Sequence, residues 1–297
     1  MNQKAWTEKF MQGVFFVAAC ASVLAVALIC IFLFANGIPA MKEIGFGDFL
    51  SGIKWRPNND IYGIFPMIVG SLYVTAGAIL FGVPIGVLTA VFMAFYCPKQ
   101  IYKPLKTATE LLAGIPSVVY GFFGLVVLVP LVREMGRDLK SMGLIKSAGN
   151  GSSILTASLL LGMMILPTII GLTESALRAV PSQYYEGAVA LGGTHERAIF
   201  TVVLPAAKSG VIAALVLGIG RAIGETMAVI MVAGNQARIP DGIFKGVRTL
   251  TANIVIEMGY ASGLHREALI ATGVVLFVFI LLLNFSVALL KRGGGRE

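Results

Sequence analysis

Long apolar stretches alternate with short polar ones along this chain. Six stretches qualify as membrane-crossing helices, at residues 14–36, 68–96, 111–132, 154–173, 211–233 and 268–290. Crossing the hydrocarbon core takes about 20 apolar residues. The second stretch exceeds a minimal span, so it must tilt or protrude. It also holds Gly77, Gly82, Pro84 and Gly86, which membrane helices tolerate where neighbours satisfy the freed backbone. Pro116 and Pro167 are expected to kink their helices. The pattern predicts an all-α, polytopic membrane protein of about six transmembrane helices. Its divisions are an N-terminal helix with an outer loop at 1–67, a core at 68–290, and a tail at 291–297.

The connector between the fourth and fifth stretches is about 37 residues long and moderately polar. Ser182, after Pro181, is placed to cap a short helix starting near Gln183. Gly192 or Gly193 would end that helix, and Pro205 would end a second one. The result is a compact helical knob over 181–208, on the membrane face. An amphipathic connector lying on the bilayer would show the same periodicity. Glu110 and Glu174 fall at stretch ends and are expected to be solvated, with Glu174 also placed to contact this knob. His195 and His265 read as lone surface histidines.

Composition agrees with lipid as the solvent. Apolar residues make up 57% of the 297 and charged residues 13%, where soluble proteins carry about a quarter charged. Mean hydropathy is +0.86. The apolar run at the N-terminus is longer than the roughly 7–15 residues of a signal peptide's core, so it reads as a retained helix. Cys20, Cys30 and Cys97 have neither disulfide nor metal spacing. The net charge of +8 would suit nucleic acid in a soluble protein. Here the basic residues flank the apolar stretches, where they meet lipid headgroups, and no nucleic-acid motif accompanies them.

Charge does not orient the chain. With both termini on one side, each side receives eleven Lys and Arg residues. The longer loops on the second side weaken its vote and favour cytoplasmic termini. A basic outer vestibule would also draw an anion inward.

The fifth stretch carries the candidate chemistry. It reads Gly218-Ile219-Gly220-Arg221-Ala222-Ile223-Gly224-Glu225-Thr226-Met227. A charge at the centre of a membrane helix costs roughly 2.5–3.5 kcal/mol on insertion scales, which makes such residues functional by default. Spacing i, i+4 on a helix puts Arg221 and Glu225 on one face, able to neutralise each other. The pair could merely fix packing. It could also supply a cation to an anion path, with Glu225 orienting or releasing Arg221. A guanidinium matches phosphate oxygens in a two-pronged geometry that lysine lacks.

The connector resembles the EAA loop of ABC importer permeases: Glu-x-Ala, three residues, Gly, nine residues, then an aliphatic residue, x, Leu and Pro. The matching positions are Glu186, Ala188, Gly192, Leu204 and Pro205. Gly187 and Val202 stand where that family usually has alanine and isoleucine. The resemblance implies that the loop docks an ATPase and is therefore cytoplasmic.

Over most of its length the chain also resembles the PstC-type permease of the bacterial phosphate-specific ABC importer, in the MetI-like family. The pieces that carry this are Trp55 followed by Asn59-Asp60-Ile61-Tyr62-Gly63, the run from Glu110 to Gly121 with Ala113-Gly114-Ile115-Pro116-Ser117, the run from Leu217 to Val229, and Ser262-Gly263-Leu264-His265. The resemblance implies a site between two permeases, and the residues expected on the substrate path are Arg221, Glu225 and Thr226. It implies four kinds of partner: a PstA-type permease, a PstB-type ATPase dimer, a PstS-type extracytoplasmic phosphate-binding protein, and inner-membrane lipid. ATP and Mg would belong to the ATPase. No Gly-x-x-x-x-Gly-Lys-Ser/Thr occurs in this chain, so it has no P-loop of its own and reads as a transport subunit rather than an enzyme. A membrane-embedded enzyme would need a nucleophile-and-base set or a metal cluster, and none is spaced for either. The sister PstA-type permease, or a permease for sulfate or molybdate, stays open.

Overall fold

The computed structural model describes the backbone of residues 2–293 and the side chains of residues 8–286. Residues 294–297 of the tail, and the side chains of Lys4, Lys291 and Arg292, lie outside the described residues. The chain is almost wholly helical. α1 (Asn2–Ile44) leads through α2 (Phe46–Ser51) to a two-stranded hairpin, β1 (Trp55–Arg56) antiparallel to β2 (Ile61–Tyr62). α3 (Phe65–Val91) runs on through a π-helical turn to Tyr96, and α4 (Lys99–Gly114) follows. α5 (Ser117–Phe123) continues through a second π turn into α6 (Val129–Ser141), and α7 (Ile154–Arg178) follows after a loop.

Beyond α7 come α8 (Ser182–Ala190), α9 (His195–Ala198), a third π turn and α10 (Leu204–Ala206). The chain then runs through α11 (Lys208–Gly224), α12 (Met227–Val232), α13 (Leu250–Met258) and α14 (Gly263–Gly293). Among the described residues, five helical segments are long and apolar enough to cross a membrane: Glu8–Ile44, Phe65–Tyr96, Ser117–Ser141, Ile154–Arg178 and Gly263–Ser286. A sixth arises if α11 and the segment His195–Ala206, bent by 71°, are one span.

Two of the six expected helices are interrupted where a continuous one was expected. The third was expected from residue 111, but that residue belongs to α4. Proline disfavours a helical conformation in the residue before it, and Ile115 is extended (ψ 127°) ahead of Pro116. Pro116 therefore separates two helices instead of kinking one, whereas Pro167 lies inside an unbroken α7. The fifth was expected to be continuous over 211–233, but it breaks at Glu225 and Thr226.

α3 and α7 form the central pair. Ala78, Leu160, Leu161, Met164 and Ile165 are buried between them and their neighbours, and Ser158 Oγ donates to the Val74 carbonyl at 3.2 Å. α1 packs on α14 and leaves its other faces outward, with Phe15, Phe16 and Leu24 each more than 60% exposed. A helix apolar all round belongs in lipid or in the core of a large protein, not in water. The two ends of the bundle have their own clusters. Trp55, Tyr62, Met67 and Leu269 gather at the hairpin end. Ala90, Val91, Leu177, Ile199 and Val203 gather under α8–α10 at the opposite end.

Candidate functional site

The helix break between α11 and α12 is built by one side chain. Glu225 is extended (φ −68°, ψ 130°). Its Oε1 accepts from the amides of Thr226 at 3.1 Å and Ala228 at 3.2 Å. Those amides would otherwise be unpaired at the start of α12. The freed Glu225 carbonyl accepts from Thr251 Oγ1 at 3.1 Å, and Thr226 Oγ1 donates to the Gly224 carbonyl at 3.1 Å. Irregular backbone at membrane depth survives only where its polar groups are satisfied in this way. Broken helices of this type line binding sites in many transporters.

Arg221 and Glu225 form no ion pair. The i, i+4 argument assumed a continuous helix, and the break turns the carboxylate toward α12. Arg221 Nη1 instead donates to Thr168 Oγ1 on α7 at 3.3 Å. The guanidinium is half-buried, and every ion pair among the described residues lies elsewhere. Arg221, Glu225 and Thr226 therefore sit together at one break, with the cation uncompensated by its sequence neighbour.

The 181–208 connector is a helical knob with altered edges. α8 begins at Ser182 with Pro181 in the capping position, so the Ser182 hydroxyl does not cap it. Gly192 ends the helix in the left-handed region (φ 84°), and the Gly193 amide donates to the Ala188 carbonyl at 3.1 Å. Thr194 Oγ1 caps α9 by accepting from the Arg197 amide at 3.3 Å. Pro205 lies within α10, and the chain turns at Ala207 instead of ending at Pro205. No residue of α8 is buried. Glu186 and Gly187 are exposed, Ala188 is half-buried and Leu191 is 92% exposed. His195 is not a lone surface residue: its Nδ1 pairs with the Tyr185 hydroxyl at 2.7 Å, and Tyr96 packs edge-on against its ring.

Two buried carboxylates organise the opposite ends of the bundle. Glu174 was expected to be solvated, yet its side chain is 2% exposed. It meets α4 and the end of α7, not the knob. Its Oε1 accepts from the Tyr102 hydroxyl at 2.6 Å and from Arg178 Nε at 2.9 Å, and its Oε2 accepts from Lys106 Nζ at 3.0 Å. At the hairpin end Glu257, 7% exposed, binds Arg248 through Oε1. Its Oε2 accepts from Trp55 Nε1 and meets His265 Nε2, both at 2.8 Å. His265 is thus held against a buried carboxylate, in an aromatic nest of Trp55, Tyr62 and Tyr260.

A polar cavity of about 860 Å³ opens over this second cluster, with Arg56, Asp60, Tyr62, Tyr260 and His265 in its wall. Burial, then the hydrogen bond to Asp60, pushes the Tyr62 phenol up to about 12. Sequence reasoning missed Thr168, Arg248 and Glu257, and it read Glu174 as solvated although a carboxylate beside an apolar stretch is not carried idly.

Comparison with known proteins places this geometry. Residues 82–293 match the family described as binding-protein-dependent transport system inner membrane component. A probable ABC transporter permease of Bacillus subtilis, YqgH, is 38% identical over 287 residues, covering 93% of this chain and 90% of that one. The phosphate transport system permease PstC of Mesorhizobium japonicum is 35% identical over 289 residues, covering 94% and 88%. In fold, the chain resembles a chain of a bacterial ABC transporter involved in the import of the acidic polysaccharide alginate (TM-score 0.59, 15% identity, 98% of this chain and 99% of that one). It also resembles the inward-facing MetNI methionine transporter (TM-score 0.58, 19% identity, 82% and 100%). The chain therefore belongs to the family of binding-protein-dependent transport system inner membrane components, as a multi-pass permease subunit of an ABC importer.

Proposed function

We propose that this chain is the PstC-type half of the pore of an ATP-driven phosphate importer in the bacterial cytoplasmic membrane. The observation that carries the reading is Arg221. It is a half-buried guanidinium beside a mid-helix break, tethered by one hydrogen bond and paired with no carboxylate. A dehydrated oxyanion passing that point gains charge-assisted hydrogen bonds of the two-pronged kind. One cation with no second anchor binds weakly enough to let go. Glu225 contributes by holding the break open, and Thr226 places a hydroxyl beside it. Full-length relatives named as phosphate permeases support the substrate.

The second half of the pore is a PstA-type permease. The knob docks a PstB-type ATPase dimer, which carries ATP and Mg, through Glu186, Gly187, Ala188, Gly192, Leu204 and Pro205. Its exposed apolar surface at Leu191 supports that role. Docking puts the knob and both termini in the cytoplasm and turns the polar cavity toward an extracytoplasmic phosphate-binding protein. Residues 68–290 form the permease core, and residues 1–67 add a helix and an outer loop.

The test is uptake of labelled phosphate by the reconstituted complex, with sulfate and molybdate as competitors. Phosphate uptake that neither competitor suppresses supports the reading. Preferential suppression by sulfate or molybdate would assign the pore to that oxyanion.

A further inference from the structure

α4 is a helix with little to hold it. None of its residues is buried, and its principal neighbour is α7. Two-residue links join it to the ends of two membrane-crossing segments, at Cys97-Pro98 and at Ile115-Pro116. What fastens it is the Glu174 carboxylate, 2% exposed, which takes Tyr102 and Lys106 from α4 and Arg178 from the last turn of α7. Arg178 reaches further. Its Nη2 donates to the Met93 carbonyl at 2.9 Å in the turn that ends α3, and its guanidinium lies 4.8 Å above the Tyr102 ring. The hydrogen bond to Glu174 raises the Lys106 ammonium above the ordinary lysine value and, as the largest cause, raises the Tyr102 phenol too.

The position of this cluster gives it a role. Arg178 closes α7, and α8 of the docking knob begins at Ser182. On the other side, α4 leads straight into α5, whose Tyr120 hydroxyl donates to the Leu112 carbonyl of α4 at 2.9 Å. α5 in turn lies against α12. A Cβ on Gly121 would stand 3.0 Å from Ala228 Cα and 2.6 Å from Met231 Sδ. α12 is the helix that Glu225 caps. One packed chain thus runs from the knob through Arg178, Glu174, α4 and α5 to the break beside Arg221. Packed elements of this kind shift between discrete arrangements rather than deforming smoothly.

We propose that Glu174 is a positioning residue that carries movement of the docking knob into the α4–α5 arm and so to the helix break. The proposal rests on the reading of the knob as the ATPase dock. Without the carboxylate, Lys106 and Arg178 are two like charges beside each other, α4 loses its fastening, and ATP hydrolysis runs without opening the path.

The test is Glu174→Gln in the whole reconstituted complex, a change that preserves shape and removes charge. The expected result is normal assembly and continued ATP hydrolysis. Phosphate taken up per ATP hydrolysed should fall by roughly 2- to 30-fold, the range for residues in a coupling network. Lys106→Met in the same background removes the stranded cation and should recover part of the ratio. A merely structural role would lower the yield of complex and leave the ratio unchanged, and an unchanged ratio overturns the proposal.

A second readout does not depend on phosphate. Spin labels at Lys103→Cys on α4 and Val189→Cys on α8, with the native cysteines replaced, report whether α4 follows α8 when nucleotide is added. The pair should move together in the otherwise native complex and lose that coordination with Glu174→Gln. Retained coordination sinks the Glu174 proposal. A complex that moves α4 and hydrolyses ATP but imports no phosphate sinks the substrate reading alone.

Discussion

Arg221 reaches across the bundle to Thr168, Nη1 to Oγ1 at 3.3 Å, and not along its own helix to Glu225. The tether joins α11 to α7, so the cation is positioned by a second helix. A hydrogen bond of this kind contributes about 0.5–1.5 kcal/mol. Thr168→Val removes it while keeping the side-chain shape, and phosphate uptake should fall by roughly 2- to 10-fold with assembly intact. Unchanged uptake would mean that Thr168 does not position the guanidinium.

Glu225 is predicted to act as a clasp more than as a charge. Its Oε1 serves two amides of α12, and an amide oxygen at the same place can accept both bonds. Glu225→Gln should therefore retain most uptake. Glu225→Ala strips the cap, at a cost of about 1 kcal/mol, and should collapse the break and the uptake together. Equal loss in the two variants would make the negative charge itself the requirement.

The knob makes a paired prediction. Gly192 adopts φ 84°, a region that costs a residue with a Cβ roughly 1–2 kcal/mol. Gly192→Val should weaken recovery of the ATPase with this chain on co-purification. Gly187 lies inside α8 with open space around it. Gly187→Ala should leave recovery equal or better, since alanine favours a helix over glycine by about 0.5–1 kcal/mol. Undiminished recovery with Gly192→Val would remove the turn after α8 from the docking surface, whereas weaker recovery with Gly187→Ala would show that the dock has no room for a methyl there.

The architecture was legible because lipid demands it. Each long apolar stretch must close its own backbone hydrogen bonds as a helix, so α1, α3, α7 and α14 could be read from composition and length. The breaks were not legible. Helical periodicity runs through Glu225 without interruption. The sequence places Glu225 one turn from Arg221, but the carboxylate is worth more on two orphan amides than on a guanidinium already tethered to Thr168. α4 was hidden for a related reason. Leu111 and Leu112 look like the start of a span, and only Pro116 forces the chain to stop and restart. The carboxylates Glu174 and Glu257 were visible as residues but not as hubs, because their partners Tyr102, Lys106 and Trp55 lie far away in sequence.

Glu257 should matter for stability. Arg248 and His265, 16% and 14% exposed, both depend on it. Removing one partner of a buried ion pair costs about 3–5 kcal/mol, so Glu257→Gln should lower the thermal unfolding midpoint of the purified chain by several degrees. An unchanged midpoint would show that the hairpin end is held by its apolar cluster alone.

The same end has a pH signature. Tyr62 is held neutral, its phenol pushed from 10.0 up to about 12 by burial and then by Asp60. A raised pKa favours the protonated fold, so this contribution is present below pH 10 and is lost as pH rises through about 12. Comparing tyrosinate absorbance with and without Tyr62→Phe should show the missing phenol ionising near pH 12. A difference centred near pH 10 would contradict the burial of the phenol and its contact with Asp60.

The central claim is that Arg221 meets the transported phosphate. Its direct test is Arg221→Gln in the reconstituted complex, measured as labelled phosphate uptake beside the recovery of every subunit. The account predicts full assembly, ATP hydrolysis and no uptake above the background of empty vesicles. Uptake at the native rate by that assembled variant would contradict it.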